Sequence, residues 1–257
     1  MYIQKVSICI NSKVDKNEII EVFNNLTDFY RASGQTQGRI ASQFIKGRKI
    51  VYMPFTLERK SLRKKYNSLY VNSQIQKLEK LCDEKLEIKT LGKTSADYQG
   101  ACRCKKPSFY ILTTNYVTIE SPLTCGSCNQ SVPLYRLPVY YDHGYMPILS
   151  WETDYISCDS LQMNCRVGER WALNQMQKSD SQLSKQGIEI CREIEKSTSV
   201  PTYYFLYNYN KTIKDQASKS CPSCGKKWSL KQPIQDCYDF KCDRCRIIST
   251  KSFGNIS

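Results

Sequence analysis

Histidine is almost missing from this chain: His143 is the only one in 257 residues. Chemistry that needs two imidazoles in one chain is excluded. Glycine (11) and proline (9) are too scarce for a collagen-like or low-complexity chain. No apolar run approaches the ~20 residues that cross a bilayer, so no membrane partner is expected. The opening MYIQKVSICINSK has neither an apolar h-region nor a small-residue cleavage site, so the expected compartment is the cytoplasm. No Gly-rich phosphate loop and no nucleophile–base motif occurs, so the chain is not expected to be an enzyme. Hydrophobic residues still make up 40% and charged residues 24%, enough for a core and against wholesale disorder. The length suits one or two domains of ordinary size.

Two quantities are high instead: 14 cysteines and a formal net charge of +14. A reducing compartment disfavours structural disulfides, which leaves metal binding or burial for the thiols. Cys221-Pro-Ser-Cys224-Gly and Cys242-Asp-Arg-Cys245 form a C-x2-C-x17-C-x2-C array, the spacing of a four-thiolate zinc site. Such a knuckle is a tight turn whose N–H groups aim at the thiolates. Gly225 accepts the positive φ that the turn requires, and Pro222 stiffens its first half. Cys102-Arg-Cys104 and Cys125-Gly-Ser-Cys128, separated by 20 residues, predict a second site at the edge of the spacing window. Asn129 is the residue there able to take a left-handed conformation. FYILTTNYVTI between the knuckles is β-branched and aromatic, as a hairpin is. Two zinc ions per chain are therefore expected. The other cysteines read as small buried hydrophobes: Trp151, Tyr155, Cys158, Leu161 and Cys165 fall on one helical face, and Cys191 lies with Ile188 and Ile194. Cys237 lies inside the last cassette and is left out of the ligand set, because Cys242 keeps the standard spacing to Cys245.

The expected fold is α+β. Residues 1–94 read as a ferredoxin-like βαββαβ domain: strands at 2–10, 40–46, 50–56 and 85–91, helices at 15–32 and 65–82. Asp15 and Glu18 form a capping box ahead of a stripe of Ile19, Val22, Phe23, Leu26 and Tyr30, and Gly34 stops the helix. In the second helix Leu69, Ile75, Leu78 and Leu81 are expected to face inward. The first zinc ribbon takes 95–138. A helical region ending in a strand takes 139–212, with helices at about 147–164, 168–177 and 181–197. The C-terminal ribbon takes 213–257.

Charge is uneven. Residues 1–92 carry 17 basic and 9 acidic side chains, whereas 141–212 carry 7 and 9. Four thiolates around one Zn²⁺ carry −2, so two sites lower the net charge from +14 to about +10. Cations beside the cassettes, among them Lys241, Arg244 and Arg246, either neutralise the clusters or face phosphates. The densest run is Arg59-Lys60-Ser61-Leu62-Arg63-Lys64-Lys65. At a helix N-terminus, where the dipole disfavours cations, it points to a polyanion. Arg63, Lys64 and Lys65 are thus candidate nucleic-acid contacts. Phe109 and Trp228 are candidate stacking rings, with packing inside the ribbons as the plainer reading. Glu169, Arg170 and Asp159 read as structural rather than catalytic polar groups.

Cys158-Asp159-x-Leu161-Gln162-Met163-x-Cys165, Gly168-Glu169-Arg170, Leu183-Ser184-x-Gln186-Gly187-x-x-Ile190-Cys191, Pro201-Thr202-Tyr203-Tyr204 and the closing CPSCGKKW…DFKCDRC follow in that order. With them the chain resembles a family of uncharacterised bacterial proteins described as zinc-ribbon-containing and predicted to bind nucleic acid. The resemblance spans most of the chain and is strongest from about residue 100. It implies zinc at Cys221, Cys224, Cys242 and Cys245 and carries over no catalytic residue. A nucleic-acid-binding protein, with RNA or single strands as ligand, is the first expectation, although residues 1–10 and 48–56 show no RNP-like aromatic motif. A protein-interaction adapter or inhibitor, with the ribbons as scaffold, is the alternative.

Overall fold

The structure is a computed structural model that describes residues 1–95, 98–138, 144–209 and 220–251. His143 and residues 213–219, the expected start of the second ribbon, lie outside the described residues. The chain divides into two compact units.

The first unit comprises Met1–Cys102, Ile119–Ser121 and Gln130–Met146. Its elements run β1 (Tyr2–Cys9), α1 (Lys16–Ala32), β2 (Gln37–Lys46), β3 (Lys49–Thr56), α2 (Leu69–Cys82) and β4 (Glu87–Lys93). The strands lie in the order β2-β3-β1-β4, with every neighbouring pair antiparallel. Helix α1 starts where the Asp15 carboxylate accepts the N–H of Asn17. Its expected stripe, Ile19, Val22, Phe23, Leu26 and Tyr30, is buried throughout, and Gly34 follows it at φ +67°. These residues pack with Val71, Leu78 and Cys82 of α2 on Val6, Ile8, Ile50 and Tyr52 of the sheet. Each such burial contributes on the order of 1.5–3 kcal/mol.

Helix α2 begins four residues later than the periodicity suggests. Ser68 is its cap, accepting the N–H of Val71. Leu69 sits in the first turn and is 85% exposed, and Val71 takes the inward position. Arg63, Lys64 and Lys65 therefore precede the helix in a separate short turn, and the conflict with the helix dipole does not arise.

The second unit comprises Arg103–Thr118, Pro122–Asn129 and Pro147–Ser257. It holds β5 (Tyr110–Leu112), β6 (Leu123–Cys125), α3 (Met146–Asn164), α4 (Glu169–Gln177), α5 (Gln182–Thr198), β7 (Thr202–Phe205), β8 (Ser229–Ile234), β9 (Tyr238–Cys242) and β10 (Ile247–Thr250). The strands of both cysteine cassettes lie in one six-stranded sheet, in the order β6-β5-β7-β10-β9-β8. Strand β7 joins them, pairing parallel with β5 on one edge and β10 on the other. Ile111, Tyr203, Tyr238 and Ile248, from four strands, share one core. The two ribbons are thus built into one sheet rather than standing as separate modules. Helix α5 approaches this sheet closely at Gly187, where a Cβ would overlap the Tyr204 ring and lie 2.8 Å from Trp151 Nε1.

Candidate metal centres and basic surface

The Sγ atoms of Cys221, Cys224, Cys242 and Cys245 lie within 4.8 Å of one another. Cys224 Sγ and Cys242 Sγ are 3.7 Å apart. A tetrahedral ion with bonds of about 2.3 Å to sulfur sets its ligands about 3.8 Å apart, so the cage fits such an ion. Two backbone bonds shape the first knuckle. The Gly225 N–H donates to the Cys221 carbonyl (2.8 Å), and the Cys221 N–H to the Lys226 carbonyl (2.7 Å). Gly225 takes φ +69°, as expected, and Arg246, just after Cys245, repeats the conformation at φ +55°. The backbone N–H of Lys226 is the main influence that brings the Cys224 thiol down to about 7. A knuckle N–H aimed at a thiolate does this.

The Sγ atoms of Cys102, Cys104, Cys125 and Cys128 gather within the same 4.8 Å limit. The Asn129 N–H donates to the Cys125 carbonyl (2.9 Å) at φ +54°, which reproduces the turn at Cys221–Gly225. In both clusters the first cysteine of each pair is buried, and the second is exposed or half-buried. Cys125 ends β6 and Cys242 ends β9, so strand ends aim a ligand at each centre. Cys237 belongs to neither cluster and is exposed. Cys158 and Cys191 are buried, as expected, and burial raises the Cys158 thiol to about 11, which keeps it protonated. Cys165 departs from its expected burial: α3 ends at Asn164, and Cys165 lies beyond it, exposed, at φ +54°.

No local pattern in the sequence signals how the last hairpin meets the first cluster. In the β8–β9 turn, Gln235 donates its Nε2 hydrogens to the carbonyls of Cys125 (3.1 Å) and Gly126 (3.0 Å). A second set of bonds ties the last knuckle to α5. Arg246 Nε donates to Glu195 Oε2 (2.7 Å) and Nη2 to Oε1 (2.5 Å), a two-pronged pair. Lys241 pairs with Asp243 (2.8 Å), and its ammonium lies 4.6 Å from the Tyr203 ring centroid. Lys241 and Arg246 are thus spent on architecture rather than left to face phosphates.

The two stacking candidates are engaged. Trp228 is 7% exposed and stacks on Phe240 at 5.1 Å. Phe109 packs edge-on against Tyr203 at 5.6 Å, with Gly126 so close that a Cβ there would overlap the ring. Both rings build the sheet that carries the cassettes. Packing, the plainer reading of both rings, is what the structure shows.

The basic run is arranged differently. Arg59, Lys60, Arg63, Lys64 and Lys65 are exposed, while Ser61 and Leu62 between them are buried. Among the described residues, none of the five cations has a carboxylate within ion-pair distance. The loop is held from below. Ser61 Oγ bonds the Glu58 N–H and lies 2.9 Å from Tyr135 Oη. The Ser61 carbonyl accepts from Gln35 Nε2 (2.9 Å), and that of Arg59 from Gln4 Nε2 (3.3 Å). Glu58 is itself taken up by Arg136 and by the Tyr135 hydroxyl (2.5 Å). Asp159 is buried and accepts the Tyr116 N–H (2.8 Å). Burial raises its carboxyl. The bond is a structural role for Asp159.

No described helix is long and apolar enough to cross a membrane. Three models, each described as a domain of unknown function, match consecutive stretches: DUF8589 over residues 1–92, DUF2310 over 104–207 and DUF8594 over 210–255. No solved structure matches the chain. An uncharacterized protein of Haemophilus influenzae is 31% identical over 238 residues, which cover 91% of this chain and 91% of the relative. A second uncharacterized protein of that organism is 37% identical over 149 residues, covering 58% of this chain and 73% of the relative. The chain therefore belongs to the bacterial family that these Haemophilus influenzae proteins represent.

Proposed function

We propose that the chain binds single-stranded nucleic acid, RNA foremost, and catalyses no reaction. The observation that carries this reading is the loop at Arg59–Lys65, where five exposed cations, with no carboxylate within ion-pair distance among the described residues, stand on a buried, hydrogen-bonded base. Holding a positive loop rigid without neutralising it suits contact with phosphates. The six elements of the first unit are read as the ferredoxin-like arrangement. The sheet face away from its helices carries Lys5 and Lys89 as one cross-strand pair, and Phe44 beside Val51. Phe44 is 42% exposed. It replaces Phe109 and Trp228 as the ring offered to a base. Both four-thiolate sets take zinc in this reading, since all-sulfur cages close its tetrahedron and leave no position for a reactive water. The zinc centres brace the sheet of the second unit.

Titration of the metal-loaded protein with single- and double-stranded RNA and DNA at several salt concentrations tests the reading. On single strands, log Kd against log salt carries a slope of about 0.7 per phosphate contact, so Arg63→Gln, Lys64→Gln and Lys65→Gln together flatten it by about 2. Phe44→Ala weakens single strands selectively. No measurable binding near physiological salt, or an unchanged slope in the triple variant, overturns the reading.

A further inference from the structure

The second unit also holds an open cavity of about 240 Å³ among α3, α4 and α5. Trp171 lines it and is 57% exposed, whereas Trp151 and Trp228 are at 0% and 7%. An indole left this open is unusual for a residue that normally covers its rings. Leu161 supplies a further apolar contact surface, and Asp154, Gln175, Gln182 and Gln186 supply the polar groups. Gln182 and Gln186 stand one turn apart on α5 and share a face. Gln175 Oε1 accepts the Leu183 N–H (3.3 Å), which fixes this carboxamide and leaves its amino group to donate.

The lining thus combines an open aromatic face, two carboxamides that both donate and accept, a third whose amino group donates, one carboxylate and no cation. A phosphate is poorly served by it, because Asp154 repels it and nothing neutralises it. A flat heterocycle with donors and acceptors along its edge is well served. The volume lies below the ~300–1,000 Å³ of sites that enclose drug-sized ligands, and so suits a single ring system. We propose that this cavity binds one nucleobase, stacked on Trp171 and read at its edge by Asp154 and the glutamine amides. Guanine is the preferred base, since its adjacent ring N–H and amino group match a carboxylate. The choice of ligand rests on the nucleic-acid reading above. The base comes either from a free nucleoside or from an unpaired position in a strand.

Equilibrium dialysis of the intact metal-loaded protein against guanosine, adenosine, cytidine and uridine tests this. Saturable binding with guanosine strongest is expected. Trp171→Ala weakens it at least about fivefold, the lower end of what a base–aromatic stack supplies. Asp154→Asn removes the preference for guanosine and spares adenosine. Gln186→Ala, at an exposed position, provides a second variant that leaves the fold intact. Competition by a single-stranded oligonucleotide with one guanine assigns the base to a strand. Failure to compete assigns it to the free nucleoside. Absence of saturable nucleoside binding, or unchanged binding by Trp171→Ala, overturns the proposal. Oligonucleotide binding that depends on Arg63, Lys64 and Lys65 without any nucleoside binding sinks this inference alone. Guanosine binding without oligonucleotide binding sinks the nucleic-acid reading and leaves the cavity assigned.

Discussion

Replacing Gln235 by alanine should loosen a metal centre whose ligands begin more than a hundred residues earlier in the chain. Gln235 is left-handed at φ +51°. Alanine meets the same backbone penalty there, so the substitution isolates the side-chain amide. That amide donates to the carbonyls of Cys125 and Gly126. Two neutral hydrogen bonds contribute about 0.5–1.5 kcal/mol each. The Cys125 carbonyl keeps the Asn129 N–H at 2.9 Å, which lowers the loss on that side. The expected total is about 1–2 kcal/mol, a factor of roughly 5–30 in the population of an opened knuckle. The assay is the rate at which a coloured chelator extracts metal. One of the two ions should leave about 5–30 times faster from Gln235→Ala, and the other at its original rate. Gln235→Asn, which tolerates the backbone but is too short to reach, should behave like alanine. Unchanged release of both ions would refute the latch.

The seat of α5 gives a second test: Gly187→Ala gains up to ~1 kcal/mol of helix propensity but forces a methyl onto Tyr204 and Trp151. A net destabilisation of about 1–3 kcal/mol, read from the denaturation midpoint, is expected. The Glu195–Arg246 pair sets a pH dependence. The bonds from Arg246 hold the Glu195 carboxyl below its ordinary value, so their contribution is present above the unfolded pKa of about 4.3 and is lost as pH falls through the folded value. Wild type should lose about 1–2 kcal/mol more than Glu195→Gln on acidification through that window, a modest figure because both side chains are more than a quarter exposed; parallel curves would contradict the assignment.

Local chemistry was legible in the sequence, and distant pairing was not. The stripe of α1 and the left-handed Gly225 and Asn129 followed from spacing and from what each residue tolerates. The eight clustered cysteines followed from C-x2-C and C-x-C arithmetic alone. The start of α2 was missed because Leu69 fits an apolar period, although Ser68 is the better cap. Nothing local announces that β7 pairs parallel with both β5 and β10, because parallel partners need no turn between them and leave no signal in adjacent residues. The same limit hid Gln235 and the Arg246–Glu195 pair, which bond across 110 and 51 residues. Trp228 and Phe109 could be read either as stacking rings or as packing, because a small ribbon alone has almost no core to take them. Sharing one sheet between two ribbons gave them a core.

Both cassettes must close around an ion if the ribbons are metal-built. Native mass spectrometry of the protein purified without added metal measures this directly. It should show two tightly held zinc ions per chain, with one lost on Cys224→Ser and one on Cys125→Ser. A single ion would mean that Cys102, Cys104, Cys125 and Cys128 are not a site, and none would contradict the ribbon reading altogether.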